Sequence, residues 1–525
     1  MVTHMESAPA IAAIDIGTNS IHMVVARRLD GGASEILTRE KEPVRLGRGS
    51  RDMKRLEPAA IERTVDALGR FRQIADAYGA EVVAVATSAV REAENQAEFL
   101  ERARSGAGMS VSVISGVEEA RLIHLGALSA VQAADRPHLV IDIGGGSTEF
   151  VVGTSTTPTL VRSLKLGHIR LTDRYFPNGV VTQAAVDDCR KYVRSFVAPV
   201  AREIGQAGFE VAIGCSGTIE NLARMAAHHG GDIPRTVDNL VLTRQGLSRV
   251  VKQLLAAEDP ADRADTPGLD AHRADVIVGG AILLRQLFKS LGVDELVVSS
   301  AALREGVVLD RFRRQESTPD ALHHLTDIRR ASVLEVARRF DEDLEHAQHA
   351  TDLSLELFDV LRPVHRLGEP ERAILEAAGV LHNVGRFLAH AAHHKHSYYL
   401  IRHSEHLAGF SEQEVELIAQ VARYHRKSNP RNKHPEFAAL SVDDQHAVRV
   451  LAGLLRIGIA LDRTYRRVVD RVTVQLDGAL TVLLETQPGV DVELELFTAR
   501  DRDDLLSVAL GTDIDFLVND QGSSP

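Results

Sequence analysis

The chain has 525 residues, which is too long for one hydrophobic core, so two to four domains are expected. Its net charge of −12 argues against a generally basic protein that coats nucleic acid. The two cysteines, Cys189 and Cys215, lie in unrelated contexts and offer neither a disulfide framework nor a paired-thiol zinc site. No secretory signal and no run of about 18 apolar residues is evident, so we expect a cytoplasmic enzyme without a membrane segment.

From residue 10 to about residue 310 the chain alternates short apolar runs with amphipathic stretches. The runs predicted as strands are IAAIDIG, IHMVVAR, VVAVATS, VSVIS, HLVIDIG, EFVVG, EVAIGC and DELVVSS. Between them, PAAIERTVDALGRFRQIADAYG has apolar residues at three- and four-residue spacing and ends in Gly, as a helix does. This alternation predicts an α/β architecture.

The composition and the hydrophobic periodicity of the chain change after RFRRQESTP. Residues 320 to about 460 are rich in Ala, Leu, Arg and His with helical periodicity, which predicts an all-helical domain. The segments RVTVQLDGALTVLLET and VDVELELFTARD alternate apolar and polar residues, and Asp-Gly separates the first two runs as in a hairpin. The predicted domains are 10–130, 131–312, a helical 318–462 and a small α+β 463–520, followed by a short polar tail.

The same Asp-Gly turn occurs twice, as AIDIGTNS at 13–20 and as VIDIGGGSTE at 140–149. Each copy lies between two strand-like runs, so it belongs to a β-hairpin and matches neither a dinucleotide-binding turn nor a P-loop. Glycine lets the backbone approach an anion closely and direct successive N–H groups at it. A plain Gly-rich turn explains one copy, but two matching copies favour a clamp around one phosphate.

The predicted ligands of this clamp fall into two groups. The carboxylates of Asp15 and Asp142 are hard oxygen ligands placed to hold Mg²⁺ against phosphate. The predicted phosphate-binding residues of the turns are Gly17, Thr18, Asn19, Ser20, Gly144, Gly145, Gly146, Ser147 and Thr148.

These paired hairpins resemble the phosphate loops of the actin, sugar-kinase and heat-shock ATPase fold, and specifically the exopolyphosphatase / guanosine-pentaphosphate phosphatase family. The blocks that carry the resemblance follow one another across residues 11–307: AIDIGTNSIHMVVA, ATSAVREAEN, VISGVEEARLIHLG, VIDIGGGSTEF, GCSGTIENLA, HRADVIVGGAILL and SSAALREG. The resemblance implies two duplicated actin-like domains. It extends less tightly into the C-terminal half through LHNVGRF and VARYHRK.

Two glutamates are candidate bases for attack of water on phosphorus. Glu149 follows the second turn, and Glu119 follows the strand VSVIS. The resemblance implies that Glu119 is the general base and that Glu149 positions water and metal, with Glu118 as the less favoured alternative at a solvated helix start. It further implies phosphate contacts from Arg91 and Arg273. Cys215 is interpreted as a small buried residue rather than a nucleophile.

Nine histidines fall between residues 382 and 434: His382, His390, His393, His394, His396, His403, His406, His425 and His434. Histidine is a common transition-metal ligand, so a metal site is one interpretation. LHNVGRF resembles the His-Asp signature of HD phosphohydrolases, but Asn383 replaces the Asp. We therefore favour an HD-like domain reused for structure or substrate binding.

A basic run, RYHRKSNPRNKH, carries Arg423, Arg426, Lys427, Arg431 and Lys433. In an acidic protein such a run favours a track for a linear polyanion, although a solvated charged face is the ordinary alternative. Only Tyr424 is interleaved, so nucleic acid is not expected. The resemblance implies a homodimer.

Together with these motifs, the resemblance implies a Mg²⁺-dependent exopolyphosphatase that releases terminal orthophosphate from polyphosphate, with a monovalent cation such as K⁺ as a further candidate cofactor. The alternative is the same chemistry on the 5′ phosphate of guanosine pentaphosphate (pppGpp). A sugar or carboxylate kinase, an ATP-driven chaperone and an inactive regulatory protein are less favoured.

Overall fold

The computed structural model describes residues 10–29, 34–47, 54–131, 135–231, 236–315, 319–341, 343–404, 406–407, 410–476, 480–486 and 490–518. The chain forms two compact units, Met1–Leu322 and His323–Pro525. The finer division of each unit into two domains stays a prediction.

The N-terminal unit contains two sheets of related topology. The strands of the first are β1 (Ala10–Ile16), β2 (Ile21–Arg28), β3 (Ser34–Glu42), β4 (Ala80–Ala86) and β5 (Val111–Val113). Those of the second are β6 (His138–Ile143), β7 (Thr148–Thr154), β8 (Thr157–Leu164), β9 (Val211–Cys215), β10 (Val241–Thr243) and β11 (Glu295–Val298).

The strand orders are β3-β2-β1-β4-β5 and β10-β11-β9-β6-β7-β8. In both sheets an antiparallel three-stranded meander is followed by strands added parallel to its first strand, and in the second sheet β10 closes the edge antiparallel to β11. Both hairpin turns therefore project from the carboxyl ends of central strands, where open α/β sheets bind ligands.

The helices of this unit are α1 (Pro58–Ala77), α2 (Ser88–Arg91), α3 (Gln96–Ala107), α4 (Gly116–Ala130), α5 (His168–Tyr175), α6 (Gln183–Ala207), α7 (Ser216–His229), α8 (Arg244–Ala256), α9 (Pro260–Ala264), α10 (Ile277–Leu291) and α11 (Leu303–Gln315). Helices α4 and α11 cross at glycines. A Cβ on Gly126 would lie 1.9 Å from the carbonyl oxygen of Ala302, and one on Gly306 would lie 1.9 Å from that of Leu122. This close crossing positions Glu119, which lies on the first turn of α4.

The C-terminal unit is mainly helical. Helix α12 (Pro319–Phe340) crosses the boundary between the units and is followed by α13 (Leu344–His365), α14 (Glu369–Leu381), α15 (His393–Arg402), α16 (Glu412–Arg423), α17 (Pro435–Ala438), α18 (Val442–Leu461), α19 (Glu493–Asp501) and α20 (Asp504–Leu510). Strands β12 (Val469–Leu476), β13 (Leu480–Thr486) and β14 (Ile514–Val518) form the sheet β12-β13-β14. One hydrophobic core joins helical residues such as Phe358 and Leu451 to Val482 and Phe516 of the sheet.

The last segment contains both strands and helices. The hairpin is confirmed, because β12 and β13 pair antiparallel, although its Asp-Gly turn lies outside the described residues. The run VDVELELFTARD contains helix α19, in which Glu495, Thr498 and Ala499 are buried on one face at three- and four-residue spacing. None of the helices in the described ranges is both long and apolar enough to cross a lipid bilayer.

Candidate active site

The two hairpin turns are built in the same way. The N–H of Gly17 donates to the carbonyl of Ser20 at 3.2 Å, and that of Gly144 to the carbonyl of Ser147 at 3.0 Å. These two amides close the turns and are therefore not free for phosphate. The amides between them donate to no backbone carbonyl in the described part of the chain. These are the N–H groups of Thr18, Asn19, Ser20, Gly145, Gly146 and Ser147.

Neighbouring loops hold each turn in place from behind. The amides of Arg45 and Gly47 donate to the carbonyls of Asn19 and Thr18 at 2.8 and 2.9 Å. The second turn lies against the start of α5, where the amides of His168 and Ile169 donate to the carbonyls of Gly144 and Gly145 at 3.0 and 2.9 Å. With the carbonyls bonded on one side, the amides are left facing the other, as an anion site requires.

Between the turns lies a cavity of about 370 Å³. Most of the predicted site residues line it: Asp15, Gly17, Thr18, Asn19, Ser20, Glu119, Asp142, Gly144, Gly145, Ser147 and Arg273. The lining also includes polar residues away from the turns: His22, Arg39, Lys41, Ser216, Glu220, Asn221, Arg224, Asp270 and Arg304. The site therefore extends well beyond a pocket for one phosphate.

Three carboxylates, Asp15, Glu119 and Asp142, line this cavity, Glu149 stands next to Asp142 in the sheet, and the pKa of each of the four is raised. Burial is the main cause of the rise, and it brings the pKa of both Asp15 and Asp142 to about 7. The pKa of Glu149 is raised first by burial and then by Glu119 and Asp142. Such a group of acids is stable in ionised form only with a compensating cation nearby.

The chemistry of these donors fits Mg²⁺. The Oδ1 atom of Asp15 is buried without a hydrogen-bond partner in the described structure. No group of three or more His, Cys, Asp or Glu side chains within the described ranges is spaced to enclose a metal ion by itself. Mg²⁺ commonly takes one or two protein carboxylates and completes its shell with water and substrate phosphate. Asp15 and Asp142 match that pattern.

Glu119 and its neighbour Glu118 have different surroundings. Arg91 Nη1 donates to Glu119 Oε2 at 2.9 Å and to the carbonyl of Ile114 at 2.8 Å. The pKa of Glu119 is nevertheless raised, because burial outweighs the effect of Arg91. Glu118 was expected at a solvated helix start, but it is 5% exposed and binds Arg121 through two hydrogen bonds of 2.7 Å. Glu119 is therefore the glutamate that faces the cavity.

Four predicted residues are not among those that line the cavity: Gly146, Thr148, Glu149 and Arg91. Glu149 accepts a hydrogen bond from Ser163 Oγ at 2.8 Å and stands opposite Asp142 in the strand register. The hydroxyl of Thr148 donates to the carbonyl of Leu166. The carbonyl of Gly146 accepts from Arg170 Nε at 3.0 Å. The roles assigned to these residues stay predictions.

Sequence reasoning missed three cavity residues that contact the acids or their neighbours. Ser216 Oγ donates to Asp142 Oδ2 at 2.5 Å, and Ser216 has a φ of 71°, which is strained for a non-glycine residue. Arg304 Nη1 lies 3.2 Å from Nδ1 of His22. Aligning the two turns would have found His22, which occupies the position of Glu149. Nothing in the sequence singles out Ser216 or Arg304.

The segment around Ser216 also bears on the predictions for Cys215 and Arg273. Cys215 is fully buried, as expected. Arg273 packs on Gly217, where a Cβ would lie 2.2 Å from Arg273 Nη2. Gly217 therefore makes room for the guanidinium that lines the cavity.

In the C-terminal unit the structure brings together four of the nine predicted histidines: His382, His393, His394 and His425. The Nε2 atoms of His393 and His425 are 3.2 Å apart. Burial lowers the pKa of His393 to about 4 and that of His382 to about 3. Asn383 is buried beside them, and His346, outside the predicted group, lies 6.0 Å from the His382 ring.

The residues of the basic run differ in their contacts and in their exposure. Arg423 pairs with Glu436 at 3.1 Å and lies over the ring of Tyr398. Arg426 Nη1 lies 3.2 Å from His393 Nδ1. Lys427, Arg431 and Lys433 are exposed. The polyanion track stays a prediction.

Comparison with known proteins gives the same picture over nearly the whole chain. Residues 24–315 match the Ppx/GppA phosphatase family, and residues 328–486 match its domain III. A guanosine-5′-triphosphate,3′-diphosphate pyrophosphatase of Photobacterium profundum is 31% identical over 86% of this chain and 87% of its own. That of Aeromonas hydrophila is 31% identical over 91% of this chain and 93% of its own.

Solved structures resemble more than half of the chain. An exopolyphosphatase from Cytophaga hutchinsonii is 30% identical with a TM-score of 0.54, covering 57% of this chain and 98% of its own. The Aquifex aeolicus member of the Ppx/GppA family is 28% identical with a TM-score of 0.51, covering 59% and 99%. The predicted fold class, with its actin-like domains, is confirmed, and so is the predicted enzyme class, a hydrolase of phosphoric anhydride bonds. The chain belongs to the Ppx/GppA phosphatase family.

Proposed function

We propose that this protein removes the terminal 5′ phosphate of pppGpp by attack of water. The observation that carries the proposal is the extent of the cavity, because polar and charged side chains line it beyond the two turns. A nucleotide with phosphates on both its 5′ and 3′ oxygens needs donors and acceptors in such a region. The likeness to curated relatives named for this substrate, over most of the chain, supports the same reading.

The residues of the chain supply three of the requirements of phosphoryl transfer. The free amides of both turns, with Ser20 and Ser147, hold the terminal phosphate in line for attack. Glu119 takes the proton of the attacking water, and Glu149 and Asp142 orient the groups around it. Arg91 holds Glu119 at 2.9 Å and keeps its carboxylate directed at the cavity. Arg273 lines the cavity and contributes positive charge there.

Mg²⁺ held by Asp15 and Asp142 would neutralise charge on the phosphate oxygens as the bond to the leaving group breaks. Glu149 was predicted as a third ligand, and because it does not line the cavity the orienting role is favoured. K⁺, a homodimer and a cytoplasmic location also remain proposals.

Polyphosphate is the second candidate substrate and was the first choice from the sequence. The 30% identity to a structure named as an exopolyphosphatase favours it. The basic run at 423–433 favoured it as well, but Arg423 is held by Glu436. The pppGpp reading is therefore the better supported of the two.

A phosphate-release assay with Mg²⁺ tests the proposal, using pppGpp, GTP, ATP and long polyphosphate as substrates. We expect the highest kcat/KM for pppGpp, with guanosine tetraphosphate as the product. Glu119→Gln, purified in parallel, shows whether any release comes from a contaminant. A higher kcat/KM for polyphosphate would establish the second candidate, and release from none of the four would refute both.

A further inference from the structure

Four arginines of the C-terminal unit lie near Tyr465, and one of them, Arg426, also belongs to the predicted polyanion track. Arg386 Nη2 donates to the hydroxyl of Tyr465 at 2.9 Å. Arg426 lies against His393. Arg502 is half-buried, and its pKa is lowered by burial and then by the like charges of Arg463 and Arg426. The four guanidinium groups come from separate segments of the chain, so the fold itself gathers them.

The positive charge of this arginine cluster (Arg386, Arg426, Arg463 and Arg502) has little compensation. None of the four forms an ion pair with a carboxylate in the described ranges. Three acids lie nearby without forming an ion pair with the cluster. The charge of Arg386 acts on Asp341, and that of Asp501 acts on Arg502. Asp462 accepts hydrogen bonds from His346 at 2.7 Å and from the amide of Arg467 at 3.0 Å. Other arginines of the unit are paired, for example Arg372 with Asp359 at 2.8 Å. The cluster therefore differs from an ordinary charged surface.

The histidines beside the arginine cluster are polar but uncharged. Burial lowers the pKa of both His393 and His394 to about 4, so these rings are neutral at physiological pH. The Nδ1 atom of His394 is buried without a hydrogen-bond partner in the described structure. Arg426 and Lys427 are among the charges that act on this ring. Nδ1 of His394 is thus a buried polar atom that lacks a hydrogen-bond partner next to these positive charges.

Backbone strain is concentrated in the same segments. Ala392, Lys427, Tyr465 and Arg467 have φ angles of 56°, 66°, 60° and 53°. Non-glycine residues in this region cost about 1–3 kcal/mol each and persist where the surroundings over-determine them, often at ligand sites. Tyr465 is held by stacking on His346, with ring centroids 3.8 Å apart. The strained loops present Tyr465 and Lys427 beside the arginines.

We propose that the arginine cluster binds a phosphoryl group. Guanidinium groups match phosphate oxygens through paired N–H donors, and they stay charged when partly buried. The ligand is either inorganic phosphate or the diphosphate of a nucleotide. Binding here needs no hydrolysis, so the inference stands independently of the reaction proposed for the cleft.

Hydrogen exchange of the full-length protein tests this site separately from the cleft. Peptides covering 384–394, 424–428 and 463–467 report the cluster, and those covering 15–20 and 144–148 report the turns. Inorganic phosphate and pyrophosphate are titrated separately. We expect slower exchange in the cluster peptides with a Kd of about 1 mM or tighter. Tighter binding of pyrophosphate would identify a diphosphate ligand, and equal binding a single phosphoryl group.

Arg463→Gln and Arg426→Gln should each weaken this protection by about tenfold. Arg463 is exposed, so its substitution leaves the core intact. Arg471→Gln, at an exposed position on β12, is the matched control and should keep the protection. No protection of the cluster peptides, or equal protection in all three variants, would overturn the proposal.

Discussion

The first and second hairpins align without a gap, and they differ in what stands opposite the aspartate. The matching pairs are Asp15 and Asp142, Gly17 and Gly144, Ser20 and Ser147, and His22 and Glu149. In β2 the residue opposite Asp15 is His22, and in β7 the residue opposite Asp142 is Glu149. The shared positions suit binding of a phosphate from two sides. The differing position places an acid on one side only. This makes the site asymmetric, as it must be if a single water attacks the phosphate from one side.

The electrostatics of the two positions differ accordingly. His22 lies against Arg304, and its pKa is lowered by burial and then by Arg304, so it is neutral. Glu149 is buried next to other acids, which raises its pKa. Changes at matched positions of the two hairpins therefore separate binding from chemistry.

The largest effect is expected for Glu119→Gln, which removes the base while keeping the shape of the side chain. A general base contributes about 10²–10⁴-fold to rate, so kcat should fall by that factor. Substrate affinity, measured by equilibrium dialysis, should change little. Normal turnover by this variant would show that another group takes the proton.

The second effect compares Glu149→Gln with His22→Gln at matched positions. Because only Glu149 supplies an acid next to Asp142, we expect Glu149→Gln to lower kcat by about 10²-fold or more. His22→Gln should change kcat by less than about fivefold. Steady-state phosphate release measures both. Equal losses would remove the distinction between the hairpins.

The third effect concerns stability. The pKa of Asp142 is raised from 3.8 to about 7, so the folded protein holds the proton more tightly than the unfolded chain between these values. Asp142 therefore destabilises the fold increasingly as pH rises through this window, and the cost is complete above pH 7. In the absence of divalent cations, Asp142→Asn should melt several degrees higher than the parent at pH 8, while losing activity.

The difference in melting temperature should shrink as the pH is lowered toward about 4. Asp188→Asn, at an exposed position paired with Lys191, is the control and should leave the melting temperature unchanged. A lower melting temperature for Asp142→Asn at pH 8 would show that the ionised carboxylate of Asp142 does not destabilise the fold.

The smallest effect is expected for Ser216→Ala. Its hydroxyl lowers the pKa of Asp142 through the 2.5 Å hydrogen bond, so removing it should raise that pKa. The acid limb of the kcat profile should move to higher pH, with about a tenfold loss of rate or less. Ser147→Ala, on the second turn, should lower the rate without the same displacement. An unchanged pH profile for Ser216→Ala would exclude Asp142 from the acid limb.

The sequence was sufficient for the centre of the N-terminal unit but not for its edges. Central strands such as Ala10–Ile16 and His138–Ile143 are continuous apolar runs, because both faces of the sheet are covered. The strands Ser34–Glu42 and Thr157–Leu164 were missed, since polar and charged residues break their apolar pattern at the sheet edge. The short strand Val241–Thr243 has too few residues to show a period.

The candidate site likewise has one part that the sequence predicts and another that only the fold reveals. Residues next to the turns were predicted because their types and spacing repeat. Ser216 and Arg304 enter the cavity from α7 and α11, so only the folded chain brings them to the acids. Glu118 shows the reverse error. Its partner Arg121 also donates to Asp310 of α11, and this contact depends on the packing of α4 against α11.

The most direct test of the central claim is a double-mutant cycle on Ser20→Ala and Ser147→Ala, read as kcat/KM for pppGpp. Both serines line the cavity at matched positions of the two turns. If both turns hold one phosphate, the effects should be coupled by about 0.5–3 kcal/mol. Effects that add to within about 0.5 kcal/mol would mean that the hairpins act on different groups, and would contradict the account.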